Sequence, residues 1–350
     1  MNDDTAETKG AHEAFDRRVR SRDLLGYWMI PNRSNMDREP EPEYGAYHWP
    51  WRDISEILTE AVDNVPKEEA HRRFIGFQHP DLKMGTTPNL MLGAQMLIPG
   101  EEAPCHRHTM DAVRFVVEGD GTTATVVEGE PFHMARGDLI TTPNWSWHDH
   151  VAGGDARTIW LDGAVAPLIT NFRIGFAQQH QAPQQTQSRP RDWSDTQFGP
   201  MRSLHPDYSA TAVRPPYRYP WAETRAALET LAEGPGDSCE AVTLAFCDPL
   251  TGGPTLPTIG CEMTLLRGRE KTAVHRHTAA AIYHAFEGEG FVTVGNDRIA
   301  FRNGDTIVVP SWAWHSLENS GSDPALLFSI NDAPVMHALG FWREERANQK

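Results

Sequence analysis

The chain has 350 residues, a length that accommodates about two domains of ordinary size. Its formal net charge of −16 argues against nucleic acid and anionic membrane surfaces as partners, so a metal ion or an arginine would have to attract any anionic ligand locally. No apolar run is long enough to cross a membrane, and the acidic N-terminus does not resemble a signal peptide. The scattered cysteines then favour reduced thiols and a cytoplasmic protein.

Residues 1–70 are predicted to form an N-terminal arm and helices. The first part of this segment is strongly charged, and residues 31–50 are rich in proline and aromatic side chains. Trp51 to Val65 carries apolar residues at the spacing of a helix that buries one face.

Short strands separated by glycine and proline dominate the rest of the chain, a pattern typical of an all-β sandwich or barrel. We place a first barrel in residues 71–177 and a second barrel with the C-terminal tail in residues 238–350. The segment between them, residues 178–237, is predicted to be a linker. Its glutamine-rich start is typical of a flexible surface connector, and Trp221 to Leu231 is predicted to be a short helix.

The two barrels share a repeated motif. His106-Arg-His-Thr recurs as His275-Arg-His-Thr, and a Gly-Asp pair followed by proline, two tryptophans and histidine recurs as well. The second part ends at His148 in the first copy and at His315 in the second. A repeat of this length implies two copies of one domain.

The repeated histidines have the spacing of metal ligands. Residues two apart in a strand face the same side, so His106 and His108 point together, and His148 follows about forty residues later. Arg114 shares the parity of the first pair and is expected on their side unless a β-bulge intervenes. His150 forms a second same-side pair with His148. The second copy repeats the ligands as a possible second site, formed by His275, His277 and His315.

These motifs resemble those of a known superfamily. Gly100-x5-His106-x-His108 with Gly137-x5-Pro143-x4-His148 is similar to the two signature motifs of the cupins. The doubled form, with Arg114, Trp147-His-Asp-His150 and Trp160-Leu-Asp-Gly163, resembles the gentisate 1,2-dioxygenase family, which includes salicylate and 1-hydroxy-2-naphthoate dioxygenases. The similarity covers roughly residues 70–345.

The resemblance implies a bicupin of two jelly-roll barrels that binds Fe(II) and O2. Such an enzyme cleaves an aromatic ring between the carboxyl-bearing and hydroxyl-bearing carbons, and it forms a homo-oligomer, commonly a tetramer. The residues agree with this chemistry, because three neutral imidazoles leave the ion its full charge, although imidazole suits Fe, Zn, Cu and Ni alike. Many cupins add a glutamate here. In this chain the nearby carboxylate, Asp111, is out of parity and the inward position carries Arg114.

The remaining candidates surround the predicted triad. Arg114 would bind the carboxylate of an aromatic ortho-hydroxycarboxylate or stabilise oxygen-derived charge, with a rim salt bridge as the alternative. His150 would bind a substrate oxygen or move a proton, or else orient His148. Arg72 or Arg73 would add a second cation. Asp162 would orient His150 or Arg114, or end its strand.

Two departures from the family bear on specificity. Met91 stands where the family often has tryptophan, so a substituted salicylate or hydroxynaphthoate is as suitable a substrate as gentisate. In the second copy Tyr283 replaces Arg114 and Leu317 replaces His150, so that barrel lacks the groups that would receive a carboxylate.

Two other functions remain open at this point. One is a different metal bicupin enzyme of the oxalate decarboxylase type, against which the missing glutamate counts. The other is a non-catalytic bicupin that binds a small molecule, for which eroded ligand sets would be expected.

Overall fold

The computed structural model describes residues 3–30, 39–40, 44–66, 69, 72–207 and 214–347. The chain forms two compact units, Met1–Glu41 and Pro42–Lys350. In the first unit helix α1 (Asp3–Arg20) is followed by a short 3-10 turn, and the Trp28 indole of this turn donates a 2.9 Å hydrogen bond to the Asp16 carboxylate. None of the described helices is both long and apolar enough to cross a membrane.

The second unit contains two similar β-barrels. The first is built from β2 (Arg73–Gly76), β3 (Met91–Leu97), β4 (Glu102–His108), β5 (Ala112–Glu118), β6 (Asp120–Val127), β7 (Glu130–Ala135), β8 (Leu139–Thr142), β9 (His148–Val151), β10 (Thr158–Ala164), β11 (Ala177–Gln179) and β12 (Arg218–Tyr219). The second is built from β1 (Tyr47–Trp49), β13 (Val242–Ala245), β14 (Gly260–Leu266), β15 (His275–His277), β16 (Ala281–Glu287), β17 (Gly290–Val294), β18 (Asp297–Phe301), β19 (Thr306–Val309), β20 (His315–Asn319), β21 (Ala325–Asn331) and β22 (Glu344–Arg346).

Each barrel pairs a six-stranded sheet with a five-stranded sheet. In the first barrel the orders are β12-β8-β5-β10-β3-β2 and β11-β4-β9-β6-β7; in the second they are β1-β19-β16-β21-β14-β13 and β18-β17-β20-β15-β22. Apolar side chains from both sheets fill the first barrel, among them Val116 and Trp160 opposite Val127 and Phe132. The predicted all-β bicupin fold is confirmed.

The outer faces of the two six-stranded sheets form the main core of the unit. Leu92 and Phe115 of the first barrel lie in one apolar cluster with Ile282 and Phe328 of the second. The rings of Phe115 and Phe328 stack with centroids 4.1 Å apart. Because residues of both barrels belong to this one cluster, a continuous apolar core joins the barrels. The stacked pair stabilises the junction by more than its buried area alone would.

Each barrel also receives a strand from the segment that precedes the other barrel. β1 pairs with β19 of the second barrel, and β12 pairs with β8 of the first. The predicted N-terminal and linker segments therefore contribute strands to barrels that are distant in sequence, while the boundaries at residues 70, 177 and 237 stay predictions. Helices follow these strands: α2 (Trp51–Asn64) and α5 (Trp221–Leu231), close to the helices predicted there.

The repeated Gly-Asp pairs hold these exchanged segments. Asp138 accepts a 2.8 Å hydrogen bond from the backbone N–H of Trp221, which begins α5. Gly137 has φ of +88°, and a Cβ there would lie 2.5 Å from the Trp221 ring. Gly304 and Asp305 receive Trp51 in the same way. A glycine is required because a side chain would be strained by the positive φ and would occupy the space of the indole.

The glutamine-rich segment is not a free connector, which corrects that expectation. The Gln185 side chain accepts a hydrogen bond from the Gly129 N–H and donates to the Val126 and Trp147 carbonyl groups. The segment after it contains α4 (Trp193–Phe198). Two further helices, α3 (Ala166–Phe172) and α6 (Ala333–Ala338), follow strands β10 and β21. Polar side chains can therefore fix a segment whose composition is typical of flexible linkers.

Candidate active site

The predicted histidines of the first barrel converge. β4 and β9 are antiparallel neighbours, and their register places His106 directly opposite His148. One ring nitrogen from each of His106, His108 and His148 lies within 4.8 Å of the other two. Among the described residues this cluster includes no carboxylate. Asp111 is engaged elsewhere, since it accepts hydrogen bonds from the Asn144 N–H at 2.9 Å and the Thr258 hydroxyl at 2.7 Å.

Backbone contacts orient the rings. The Nδ1 atoms of His108 and His148 lie 3.0 and 2.9 Å from the carbonyl oxygens of Met110 and Ser146, so each Nδ1–H donates and each Nε2 keeps its lone pair. The buried Nε2 of His148 has no hydrogen-bond partner. Burial and nearby arginines lower the pKa of His106 to about 3 and that of His108 to about 4. Three neutral imidazoles with a convergent, unpartnered nitrogen fit a divalent metal ion.

The residue between the paired histidines fastens the loop before His148. The Arg107 guanidinium lies 4.5 and 4.4 Å from the ring centroids of Trp145 and Trp147. The N–H of Trp145, a residue with φ of +60°, donates to the His108 carbonyl at 2.7 Å. A left-handed tryptophan is strained and persists only where its surroundings fix it. The two tryptophans thus pack on both sides of the Arg107 guanidinium and hold the loop before His148.

Arg114 enters the site from the opposite sheet. It lies on β5 across from Asp162 on β10, is only 1% exposed, and contacts the Thr142 hydroxyl. Its Nε lies 3.9 Å from Asp162 Oδ2 but has no hydrogen-bond partner. A buried guanidinium with free donor capacity is suited to bind an anion. This burial corrects the alternative of an exposed salt bridge at the barrel rim.

The structure separates the two candidate arginines. Arg72 donates a 2.9 Å hydrogen bond to the Pro104 carbonyl, lies against His106 Nδ1, and lines a cavity of about 540 Å³ with these two residues. Burial lowers the pKa of Arg72 to about 10, which leaves it cationic at neutral pH. Arg73 instead forms a buried 2.9 Å ion pair with Glu101. Its inclusion among the substrate residues is therefore corrected, because its guanidinium is already engaged away from the triad.

His150 is buried beside the triad with one free nitrogen. The Thr125 hydroxyl donates to the Met134 sulfur, so its oxygen accepts from His150 Nδ1–H at 2.8 Å. This network assigns the lone pair to Nε2, which has no hydrogen-bond partner. Burial lowers the pKa of His150 well below its usual value. His150 does not orient His148, whose Nδ1 is bonded to the backbone.

Three further side chains share this face of the sheet, and the sequence reasoning missed them as site residues. Gln95 on β3 lies opposite Trp160 on β10, and both have a buried side-chain nitrogen without a hydrogen-bond partner. Phe74 lies opposite Gln95, and its ring crosses Gly93 so closely that a Cβ there would be 2.4 Å from it. The alternation of side chains along a strand shows which residues of that strand share a face. Only the register between β2, β3 and β10 shows that these three residues lie next to one another.

Met91 lies at the start of β3 and is half-buried. Its sulfur lies 3.4 Å from the position a Cβ would take on Gly76, and the Phe74 ring lies 3.3 Å from the same point. Phe74 and Met91 therefore lie side by side. Together they form an apolar wall on β2 and β3. Its aromatic side chain is Phe74 of β2, whereas position 91 contributes the methionine.

The second barrel repeats the triad in a different setting. Nitrogens of His275, His277 and His315 again lie within 4.8 Å of one another. Tyr283 occupies the strand position that corresponds to Arg114 and is buried. Glu240 Oε1 lies 2.9 Å from His275 Nε2. The motif had indicated the three histidines, whereas Glu240 lies outside it and no sequence signal marked it.

Comparisons with known proteins agree with this architecture. Residues 93–163 and 261–331 each match the cupin domain family. The chain is 35% identical to gentisate 1,2 dioxygenase 1 of Aquipseudomonas alcaligenes over 345 residues, which cover 97% of this chain and 98% of that protein. It is 34% identical to 1-hydroxy-2-naphthoate 1,2-dioxygenase of Nocardioides sp. (strain KP7), over 95% of this chain and 87% of that protein.

A solved structure is similar over nearly the whole chain. The salicylate 1,2-dioxygenase of Pseudoaminobacter salicylatoxidans, in an adduct with gentisate, superposes with a TM-score of 0.87 at 29% sequence identity. The match covers 97% of this chain and 94% of that one. Sequence identity above 30% over almost the full length, two cupin domains and the shared bicupin architecture together place this chain in the family of the gentisate, salicylate and 1-hydroxy-2-naphthoate 1,2-dioxygenases.

Proposed function

We propose that this protein is an Fe(II)-dependent dioxygenase that uses O2 to cleave an aromatic ortho-hydroxycarboxylate between its carboxyl-bearing and hydroxyl-bearing carbons. The substrate class is gentisate, a salicylate with or without further substituents, or a hydroxynaphthoate. One observation carries the proposal: a buried arginine with free donors, Arg114, lies beside a cluster of three neutral histidines that contains no carboxylate in the described part of the chain. The positive charge of such a site is not compensated by a carboxylate ligand, so the site is suited to bind a chelating anion.

His106, His108 and His148 would hold the iron, which supplies the electron transfer that activates O2. Because all three ligands are neutral, the ion keeps its full charge for the carboxylate and phenolate oxygens of the substrate. The relatives named as gentisate and 1-hydroxy-2-naphthoate 1,2-dioxygenases support cleavage with O2 over the decarboxylase alternative.

Arg114 would bind and orient the substrate carboxylate. Asp162 lies 3.9 Å from its Nε, close enough to hold the guanidinium in place without using up its donors. Two parallel N–H···O bonds from a planar guanidinium fix the plane of a carboxylate as well as its position. Arg72, at the mouth of the site beside His106, would add a second cation that attracts the anion against the overall negative charge of the protein.

His150 would accept a hydrogen bond from the substrate hydroxyl on Nε2 and so orient the substrate. The Thr125 contact holds the imidazole in the tautomer that leaves this nitrogen as an acceptor. Because burial lowers the pKa of His150 well below its usual value, the ring stays neutral and Nε2 remains a hydrogen-bond acceptor throughout the neutral pH range. Gln95 and Trp160 bring further unpartnered N–H donors to the same face and would bind oxygen atoms of the substrate.

Phe74 and Met91 would contact the aromatic ring. Their adjacent side chains form an apolar wall on β2 and β3, on the strand face that also carries Asp162. A methionine beside a phenylalanine adapts its shape more readily than a tryptophan does, which favours substituted or fused rings.

The proposal includes the setting of the enzyme. We infer a cytoplasmic location, which the four free cysteine thiols support. We also infer a homo-oligomer, a tetramer or a dimer, as the family resemblance implies.

The direct test is anaerobic loading of the purified protein with Fe(II), followed by a panel of hydroxybenzoates and hydroxynaphthoates scored by O2 uptake. We expect O2-dependent loss of at least one ortho-hydroxycarboxylate, with benzoate and 4-hydroxybenzoate as inactive controls because they cannot chelate through adjacent oxygens. Full iron occupancy with no O2 uptake on any member of the panel would contradict the proposal.

A further inference from the structure

The second barrel carries a carboxylate where the first carries a guanidinium. Arg72 directly precedes β2 and lies against His106, the first histidine of its triad. Glu240 stands two residues before β13, at the corresponding edge of the second barrel, and lies against His275. We propose that His275, His277, His315 and Glu240 form a second divalent-metal site, in which Glu240 is an anionic fourth ligand that the first site lacks.

The contact between Glu240 and His275 has the distance but not the direction of a hydrogen bond. The oxygen and Nε2 are 2.9 Å apart, yet neither ring nitrogen of this buried histidine has a hydrogen-bond partner. Two lone-pair atoms repel at this distance unless a positive centre lies beside both, either a proton on the ring in the metal-free protein or a bound metal ion. Two ligand atoms about 2.1 Å from one metal ion and at right angles would be about 3.0 Å apart. The pair thus has the separation of two ligands of one ion.

The other two histidines are oriented for the same ion. His277 Nδ1 and His315 Nδ1 lie 2.9 Å from the carbonyl oxygens of Ala279 and Ala313, so their Nε2 atoms keep lone pairs. The buried Nε2 of His315 has no hydrogen-bond partner. The Glu240 side chain is 37% exposed, so it has room to turn from His275 toward an ion held by the three nitrogens.

The loop before β13 is built to place Glu240. The Asp237 carboxylate accepts hydrogen bonds from the backbone N–H groups of Cys239 at 2.7 Å and Glu240 at 3.1 Å. The Thr243 hydroxyl donates to the Glu240 carbonyl at 2.6 Å. Ala241 adopts φ of +53°, a strained conformation for a residue with a side chain. These contacts fix the backbone of Glu240 while its carboxylate faces the triad.

The surrounding cavity has the opposite charge preference to the first site. It measures about 390 Å³, and its lining includes Glu240, Glu262, His277 and Tyr283. A carboxylate ligand reduces the net charge of a bound divalent ion, and Glu262 adds a second acidic group without touching the triad. The second site would therefore retain a metal ion but would not attract an aromatic carboxylate.

The test uses metal binding rather than turnover. The His106→Ala variant, which disables the first site, is stripped of metal and titrated anaerobically with Co(II), whose visible absorption reports coordination; bound metal is counted after dialysis. We expect it to bind a single Co(II) per chain, and His106→Ala/His315→Ala to bind none. Adding Glu240→Gln to His106→Ala should weaken binding at least tenfold and change the spectrum, since even residues that only orient ligands are worth about 10- to 100-fold.

The matched control is Glu262→Gln in the same His106→Ala background, which removes an acid from the cavity but not from the triad. It should leave the affinity and the spectrum as they were. Circular dichroism of each metal-free variant establishes that it is folded, and Glu240→Ala replaces Glu240→Gln if the latter is not. Failure of the His106→Ala variant to bind Co(II), or an unchanged affinity and spectrum after loss of the Glu240 carboxylate, would overturn the proposal. Neither result depends on whether the first site cleaves rings.

Discussion

The two barrels of this protein place three histidines at matching strand positions and surround them with different charges. In the first barrel Gly93, Asp162 and Arg114 lie side by side on three neighbouring strands. In the second barrel the same strands carry Glu262, Ser329 and Tyr283. The strand register is conserved between the barrels, whereas the side chains at these positions are not.

This difference separates two parts of each barrel. The proposed metal ligands come from the five-stranded sheets, where β4 and β9, or β15 and β20, bring the histidines together. The differing charges come from the facing six-stranded sheets and from the segments just before β2 and β13. The two barrels thus share the histidine triad and differ in the charges around it.

The largest effect on this comparison is expected at Arg114. Arg114→Ala should lose a charge-assisted contact of about 1.5–3 kcal/mol, which lowers kcat/KM by about 10- to 100-fold, and by more if the carboxylate stays buried. Arg114→Lys should recover only part of this, because a point charge cannot form two parallel bonds. Steady-state kinetics with iron content measured in each variant decides the matter. Unchanged kinetics in Arg114→Ala, at full iron content, would show that Arg114 does not bind the substrate carboxylate.

The apolar wall offers a test of substrate choice. Phe74 on β2 corresponds to Thr243 on β13, so the aromatic contact belongs to the first barrel only. Phe74→Ala should raise KM for single-ring substrates several-fold, since an aromatic contact is worth about 0.5–1.5 kcal/mol beyond its area. Because loss of the phenyl ring enlarges the pocket, the ratio of kcat/KM for a hydroxynaphthoate to that for salicylate should rise. An unchanged ratio would show that the Phe74 ring does not contact the substrate.

The clamps on the two triads should act independently. Arg276 lies over Trp312 and Trp314 as Arg107 lies over Trp145 and Trp147, each at about 4.3 to 4.5 Å. Arg107→Leu should lose roughly 0.5–2 kcal/mol of cation–π contact and lower the metal affinity of the first site alone. Arg276→Leu should affect the second site alone. Metal titration of each variant measures this, and equal losses at both sites would argue that the barrels are coupled.

The smallest effect concerns protonation of the metal-free protein. Burial opposes protonation of His275, but the Glu240 carboxylate outweighs it and raises the pKa of His275, whereas burial and arginines lower the pKa of His106 to about 3. Between pH 5 and 6 the His106 ring should be neutral and the His275 ring should be protonated. Because a raised histidine pKa adds stability at low pH that is lost as the pH rises through it, Glu240→Gln should lower the melting temperature of the apoprotein at pH 5.5 more than at pH 8.

Imidazole proton resonances of the metal-free chain, followed by NMR from pH 4.5 to 8, test the same difference directly. His275 should titrate above His106, and the Glu240→Gln variant should narrow the gap. Titration of both rings in the same pH range in the unmodified chain would contradict the assigned charges.

The motifs predicted the fold and the clustering of the histidines because both depend on short-range patterns. Two histidines on one strand and a third before the next motif fixed the triad, and the repeat fixed the number of barrels. The strand parity used for Arg114 was less sound, since a turn separates β4 from β5 and Arg114 enters from the facing sheet.

Contacts between segments distant in sequence could not be predicted. The exchanged strands β1 and β12 are too short to show an alternating hydrophobic pattern. Their positions depend on the Gly-Asp pairs of the barrel that each strand joins, which bind Trp51 and Trp221. The choice between Arg72 and Arg73 depended on which one meets Glu101, and Glu240 has no counterpart in the repeat. Each of these required the register of a neighbouring strand.

If ring cleavage belongs to the first barrel alone, as we propose, a matched pair of variants in the two triads must differ in activity. His106→Ala and His275→Ala are loaded with Fe(II) under the same conditions, and each is assayed for bound iron and for O2-dependent turnover of the best substrate. We predict that His106→Ala is folded but inactive, and that His275→Ala loses iron from the second site and keeps most of its activity. An inactive His275→Ala enzyme with the first site fully loaded, or about half the activity in each variant, would contradict the claim.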